Sequence, residues 1–212
     1  MTNRFQLSMS EEDLIACIKR TNEEVTSVRG LRYTSLGQYD EQVNKLLARF
    51  LQRKDYHTGF MLWGKSGSGK TVRLKAVYLF IQYFFGSIPE LGYSVQYKTA
   101  DGLARSSTSM ESFDKLCSMD LLILDNLGYE VGSGENLQFA QSLIGELLLK
   151  RYDAMLPTLI SSVFDIDNLG GIYGQRVSDI IRESYYVMEL TTDFRREIIK
   201  VRQSQNQQNY ET

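Results

Sequence analysis

The 212 residues carry 24 basic and 26 acidic side chains, a net charge of −2, so the chain as a whole lacks the positive excess of a general nucleic-acid binder, which does not exclude a local basic groove. Hydrophobic residues make up 42%, enough for one cored domain with at most a small appendage. Cys17 and Cys117 lie too far apart for a disulfide framework or a zinc motif and suit a reducing cytoplasm, the opening Met-Thr-Asn-Arg-Phe-Gln has no apolar signal core, and the greasiest run, Ala76 to Ile88, is interrupted by Gln82 and too short to span a membrane.

In chain order, Ser10 followed by Glu11, Glu12 and Asp13 predicts a capped helix over residues 10–28. Gly30 to Ser35 reads as a connector. Residues 37–54 place Val43, Leu46, Leu47, Phe50 and Leu51 on one helical face, with Lys45, Arg49, Arg53 and Lys54 on the other, ordinarily a solvated face. Phe60-Met61-Leu62-Trp63 predicts a short buried strand, and Thr71 to Phe85 a helix. Between them, Gly64-Lys65-Ser66-Gly67-Ser68-Gly69-Lys70-Thr71 matches G-x-x-x-x-G-K-[ST], the nucleotide-binding P-loop, at every fixed position. Its glycines let backbone N–H groups turn inward on a polyphosphate at a helix N-terminus. Lys70 brings a mobile positive charge to the terminal phosphates, and Thr71 a hydroxyl to phosphate-bound Mg²⁺. Gly64, Lys65, Ser66, Gly67, Ser68, Gly69, Lys70, Thr71 and Val72 are therefore the candidate ATP-binding set.

Gly86-Ser87-Ile88-Pro89 then breaks the chain. Tyr93 to Thr99 alternates as a strand does, and a helix is predicted over Met110 to Ser118 within a polar stretch. Leu121 to Leu124 is the uninterrupted apolar run of a central parallel strand. It ends in Asp125, the carboxylate that orients the magnesium water shell of a P-loop site; the alternative is an acid capping a turn. Asn136 to Tyr152 predicts a helix, Thr158 to Val163 a buried strand, Gly174 to Glu183 a helix and Tyr185 to Leu190 a last strand. From Gln203 the Gln, Asn and Ser composition predicts disorder. Strands alternating with helices imply an α/β, three-layer P-loop NTPase with a mostly parallel five-stranded sheet. The step of over fifty residues from the loop to Asp125 favours the additional-strand (ASCE) class. The expected organisation is a helical extension over 1–35, an ATPase domain over 36–202 with little or no C-terminal lid, and a polar tail over 203–212. His57 and Trp63 read as structural.

Leu121-Leu122-Ile123-Leu124-Asp125-Asn126-Leu127-Gly128 resembles the Walker B segment of the DnaC/IstB-like ATPases, AAA+ proteins that load replicative helicases or assist transposases. Lys150-Arg151-Tyr152 and Leu156-Pro157-Thr158 are similar to that family's run into sensor 1. Gly174-Gln175-Arg176-Val177-Ser178-Asp179 is similar to its arginine box, and Thr192-Asp193-Phe194-Arg195-Arg196 to its sensor 2 segment. The resemblance implies an ATP- and Mg²⁺-dependent homo-oligomer. It would act on single- or double-stranded DNA through a replicative helicase or a transposase, with Lys70, Asp125, Arg176 and Arg195 or Arg196 around the nucleotide. The chain departs from the family at three points. Asn126 replaces the acid that polarises water, and an amide cannot take its proton, so Glu130 is the candidate substitute. Val163 stands where sensor 1 has Asn. Ile180 stands where a trans-acting arginine is expected, with Arg182 nearby. Each arginine, Arg151 included, has an alternative reading as a surface ion-pair partner. Losing such groups slows hydrolysis steeply, so nucleotide binding with slow turnover is expected. A hydrolysis-poor, ATP-bound scaffold is the competing reading. A small-molecule kinase is a third, for which the sequence offers no arginine-rich lid.

Overall fold

The structure is a computed structural model and describes residues 5–28, 38–85, 92–105, 109–130 and 135–191. Helices α1 (Glu11–Ser27) and α2 (Gln38–Leu51) precede β1 (Gly59–Trp63) and α3 (Lys70–Phe85). There follow β2 (Val95–Thr99), α4 (Ala100–Arg105), α5 (Met110–Ser118), β3 (Leu121–Leu127), α6 (Glu135–Asp153), β4 (Thr158–Ser162), α7 (Ile166–Tyr173), α8 (Gln175–Ser184) and β5 (Tyr185–Glu189). The strands form one sheet in the order β2-β3-β4-β1-β5. Every pairing is parallel, so the mostly parallel sheet expected is wholly so. Strand β4 lies between β1 and β3, the inserted strand that the ASCE class requires.

A parallel sheet is buried on both faces because its crossover helices cover both. Here Phe60, Leu62, Leu121, Ile123 and Leu159 point to one side, into a core with Leu14 and Ile18 of α1, Val43 and Leu47 of α2, and Leu74, Val77 and Phe80 of α3. Met61, Leu122, Leu124 and Ile160 point to the other, against Phe113, Ile144, Leu148, Leu169, Val177 and Ile181 of α5 to α8. That gives three layers. Helix α1 starts as read: the Ser10 hydroxyl accepts the Asp13 N–H at 3.1 Å, with Glu11, Glu12 and Asp13 in the first turn.

Strand β3 breaks its parity near its end. Leu124 pairs with Ile160 but Leu127 pairs with Ser162, so two residues on β3, Asp125 and Asn126, oppose one on β4, Ser161. The extra residue is a bulge. Asn126 sits in it with φ 63°, a left-handed conformation that Asn tolerates better than most side chains. The bulge returns Leu127 to the face of Leu122 and Leu124.

Two helices, α4 and α7, were not expected. Helix α7 begins at Asp165, whose carboxylate accepts the Asn168 N–H at 2.9 Å. Its Gly170-Gly171 pair reads as a breaker, yet a Cβ on Gly170 would lie 2.8 Å from the Ser178 hydroxyl, so the small residue lets α7 and α8 approach closely. Arg151 takes neither of the roles weighed for it. It is fully buried and clamps backbone where α5 and α6 lead into β3 and β4. Its guanidinium donates to the carbonyls of Leu116 (2.9 Å), Met119 (2.8 Å) and Pro157 (2.7 Å), and to the Thr158 hydroxyl at 2.9 Å. Burial pulls its pKa down to about 10. Among the described residues no helix is long and apolar enough to cross a membrane.

Candidate nucleotide-binding site

The glycine loop leaves β1 where the neighbouring β5 ends. The Leu190 N–H donates to the Trp63 carbonyl at 2.7 Å. Gly64 follows with φ 132°, and a Cβ there would stand 2.3 Å from the Leu190 carbonyl oxygen. Only glycine fits at the first position of the loop, for both reasons. The loop then turns into α3, whose first turn closes with the Arg73 N–H on the Gly69 carbonyl at 3.1 Å.

Lys70 is buried inside this turn. Its ammonium donates to the Gly64 carbonyl at 2.6 Å, the Lys65 carbonyl at 2.8 Å and the Ser68 hydroxyl at 3.3 Å. All three acceptors belong to the loop, so a phosphate oxygen entering it can exchange with them without moving the helix. One turn on, buried Arg73 pairs with buried Asp40 of α2 and ties the base of the loop to the second helix.

Asp125 lies at the end of β3 with no exposed surface. Three hydroxyls surround its carboxylate. Thr71 donates to Oδ1 at 3.2 Å, Ser161 of β4 also donates to Oδ1, and Tyr97 of β2 donates to Oδ2. The structure thus brings Thr71, from the loop helix, against Asp125. Ser161 and Tyr97 are further polar residues of this cluster. Ser161 also accepts the Asn126 N–H at 3.0 Å, which pins the bulge. Ser161 was legible as a polar residue in a strand buried at every position; Tyr97 carried no signal in the sequence.

Thr71 and Asp125 form the hydroxyl–carboxylate pair that suits Mg²⁺ in P-loop proteins. Among the described residues no group of three or more His, Cys, Asp or Glu side chains could hold a metal by itself. A cation here therefore depends on phosphate oxygens and water for most of its shell, as Mg²⁺ commonly does.

The other candidate residues lie elsewhere. Glu130 is buried against α7, where its Oε1 takes the Tyr173 hydroxyl and the Gly128 N–H at 3.2 Å. Burial, then the Glu130 charge, pushes the Tyr173 hydroxyl up. Val163 follows β4, half-buried. Ile180 packs in the core, which is why no arginine stands there. Arg176 is exposed and faces Asp153 at 3.7 Å; Arg182 is partly exposed and pairs with Asp167 and, at 3.5 Å, Asp179. Arg195 and Arg196, like the polar tail, lie outside the described residues.

No protein-family profile and no curated protein matches the sequence. Solved structures do match. DnaI is 22% identical with a TM-score of 0.60, over 87% of this chain and 93% of that one. The DnaC helicase loader is 18% identical with a TM-score of 0.59, over 82% and 99%. AMPPCP-bound DnaA from Aquifex aeolicus is 20% identical with a TM-score of 0.59, over 81% of this chain and 53% of that one, so the chain spans about half the length of that initiator. At these identities the likeness is one of fold: the chain shares the fold of the matched parts of DnaI, DnaC and DnaA.

Proposed function

We propose that this chain binds ATP with Mg²⁺, assembles into a homo-oligomer when it does so, and acts on DNA with a protein partner, as a helicase loader or transposition helper. The observation that carries the reading is the contact of Thr71 with Asp125 at 3.2 Å behind the buried Lys70 ammonium. Two segments far apart in sequence meet to make one site for an anion and its cation. Gly64 to Val72 cradle the triphosphate, Lys70 trades a loop carbonyl for a phosphate oxygen, and Thr71 with Asp125 holds the Mg²⁺. When bound, that ion neutralises charge on the phosphates. Arg176 and Arg182 sit on the surface, where a side chain can serve a neighbouring subunit's site, and Arg195 or Arg196 serves its own. The near-complete coverage of the DnaI and DnaC chains supports the loader reading over a kinase.

Turnover is slow in this reading. Asn126 cannot take a proton from water, and the Glu130 carboxylate is bonded to Tyr173 and Gly128. That same arrangement favours the second reading, an ATP-bound scaffold with negligible hydrolysis. Light scattering of the purified chain with ATP and with ADP, alongside ATP hydrolysis with and without single-stranded DNA, tests both. Growth in mass with ATP is expected; absence of any affinity for Mg²⁺-ATP would refute the site.

A further inference from the structure

At the amino-terminal edge of the sheet, away from the P-loop, a column of aromatic rings runs out of the core. Phe50 of α2 meets Phe60 edge-on with centroids 5.9 Å apart, and Phe60 meets Tyr186 at 6.0 Å. Tyr186 stacks on His57 at 3.9 Å and 19°, and His57 on Tyr56 at 4.4 Å and 22°. The column ends at Tyr56, which is 70% exposed. A single exposed tyrosine is ordinary. What distinguishes this one is its bracing. The Asp55 carboxylate accepts the Tyr186 hydroxyl and the His57 N–H at 3.1 Å, and lies 3.0 Å from His57 Nδ1. Arg53 donates to the His57 carbonyl at 2.8 Å. One face of the Tyr56 ring is thus fixed and the other is presented to solvent, so little rotamer entropy is lost when a second flat group covers it.

A row of cations on and after α2 leads to the column, and Arg49 reaches Tyr186 within it. Lys45 and Arg49 are exposed one turn apart on α2, and Arg53 and Lys54 follow it. Of the acids, Asp55 is held within the bracing and Glu11 pairs with Lys54 at 3.5 Å, while Glu41 is exposed on α2 one turn before Lys45, so the four cations outnumber the three acids by one. On a chain of net charge −2 this is a local positive field beside a rigid π-face. That pairing is what single-stranded nucleic acid binds, its bases stacking on rings and its phosphates tracking the cations. A duplex keeps its base faces covered and gains nothing from the ring. We propose that Tyr56 is the stacking platform of a single-stranded nucleic-acid site, separate from the nucleotide loop, with Lys45 and Arg49 along the phosphates.

The test is fluorescence anisotropy of labelled oligo-dT with the full chain, with and without ATP, across a salt series. Tyr56→Ala should weaken binding about tenfold or more, and Tyr56→Trp should retain it. An abasic oligomer of equal length should bind the unaltered chain as weakly as oligo-dT binds Tyr56→Ala. Lys45→Gln with Arg49→Gln should flatten the slope of log affinity against log salt by about 1.4. The proposal falls if Tyr56→Ala binds oligo-dT like the unaltered chain, if duplex competes as well as single strand, or if oligo-dT does not bind at all. It also falls if the variant instead loses a protein partner with DNA binding intact. Binding of Mg²⁺-ATP by Tyr56→Ala should be unchanged, so failure here is distinguishable from failure of the nucleotide site.

Discussion

The two ends of the parallel sheet treat buried polar groups in opposite ways. At the carboxyl end, Asp125 is surrounded by the hydroxyls of Thr71, Ser161 and Tyr97, side chains that can rotate away and offer the same carboxylate to a cation. At the amino end, Arg151 is as deeply buried, but its acceptors are mostly backbone carbonyls of Leu116, Met119 and Pro157. Those cannot move without unravelling the entries to β3 and β4. Burial of a charge therefore does not mark a functional site by itself. The mobility of its partners separates a site prepared for a ligand from a clamp that fixes the fold.

Breaking the clamp should have the largest effect. Arg151→Met leaves several buried carbonyls unpaired and should cost about 3–5 kcal/mol in chemical denaturation, with Mg²⁺-ATP affinity of the folded fraction unchanged. Loss of ATP affinity without loss of stability would reverse the comparison. At the other end, Lys70→Ala should weaken ATP binding about 10- to 100-fold, the worth of a charge-assisted hydrogen bond, and abolish ATP-driven assembly, with the denaturation midpoint little moved. Unaltered nucleotide affinity would remove Lys70 from the site. Tyr97→Phe takes one hydroxyl from Asp125 and should change the Mg²⁺ concentration needed for half-maximal ATP binding by up to about tenfold. A metal-independent fall in ATP affinity would instead make Tyr97 a packing residue. Asn126→Glu, which places an acid beside Asp125, should speed hydrolysis while costing about 1 kcal/mol for its left-handed backbone. An unchanged rate in a stably folded variant would show that the missing acid is not what limits turnover.

Much of the fold was legible because the signals were local. Ser10 with three acids fixed the start of α1, the apolar run Leu121 to Leu124 fixed β3, and the pattern from Gly64 to Thr71 placed the loop between a strand and a helix. What escaped depended on contacts distant in sequence. Helix α7 was hidden by Gly170, whose use is visible only once α8 lies beside it. The Arg73–Asp40 pair joins the helices that precede and follow the first strand in the chain, which pack on one face of the sheet. Tyr97 reaches Asp125 only because β2 pairs with β3. Asn126 read as a chemical deficit alone; the bulge gives the same residue a backbone reason for its presence.

The joint between Gly64 and Leu190 has a consequence for heat. Strand β5 is an outermost strand of the sheet, held on one side by β1, and the margins of a sheet open at lower free energy than its middle. Because the Leu190 backbone abuts Gly64, fraying of β5 removes a wall of the proposed phosphate cradle while β3, β4 and their hydrophobic layers remain intact. On warming, grip on the triphosphate should fade some degrees before the protein unfolds.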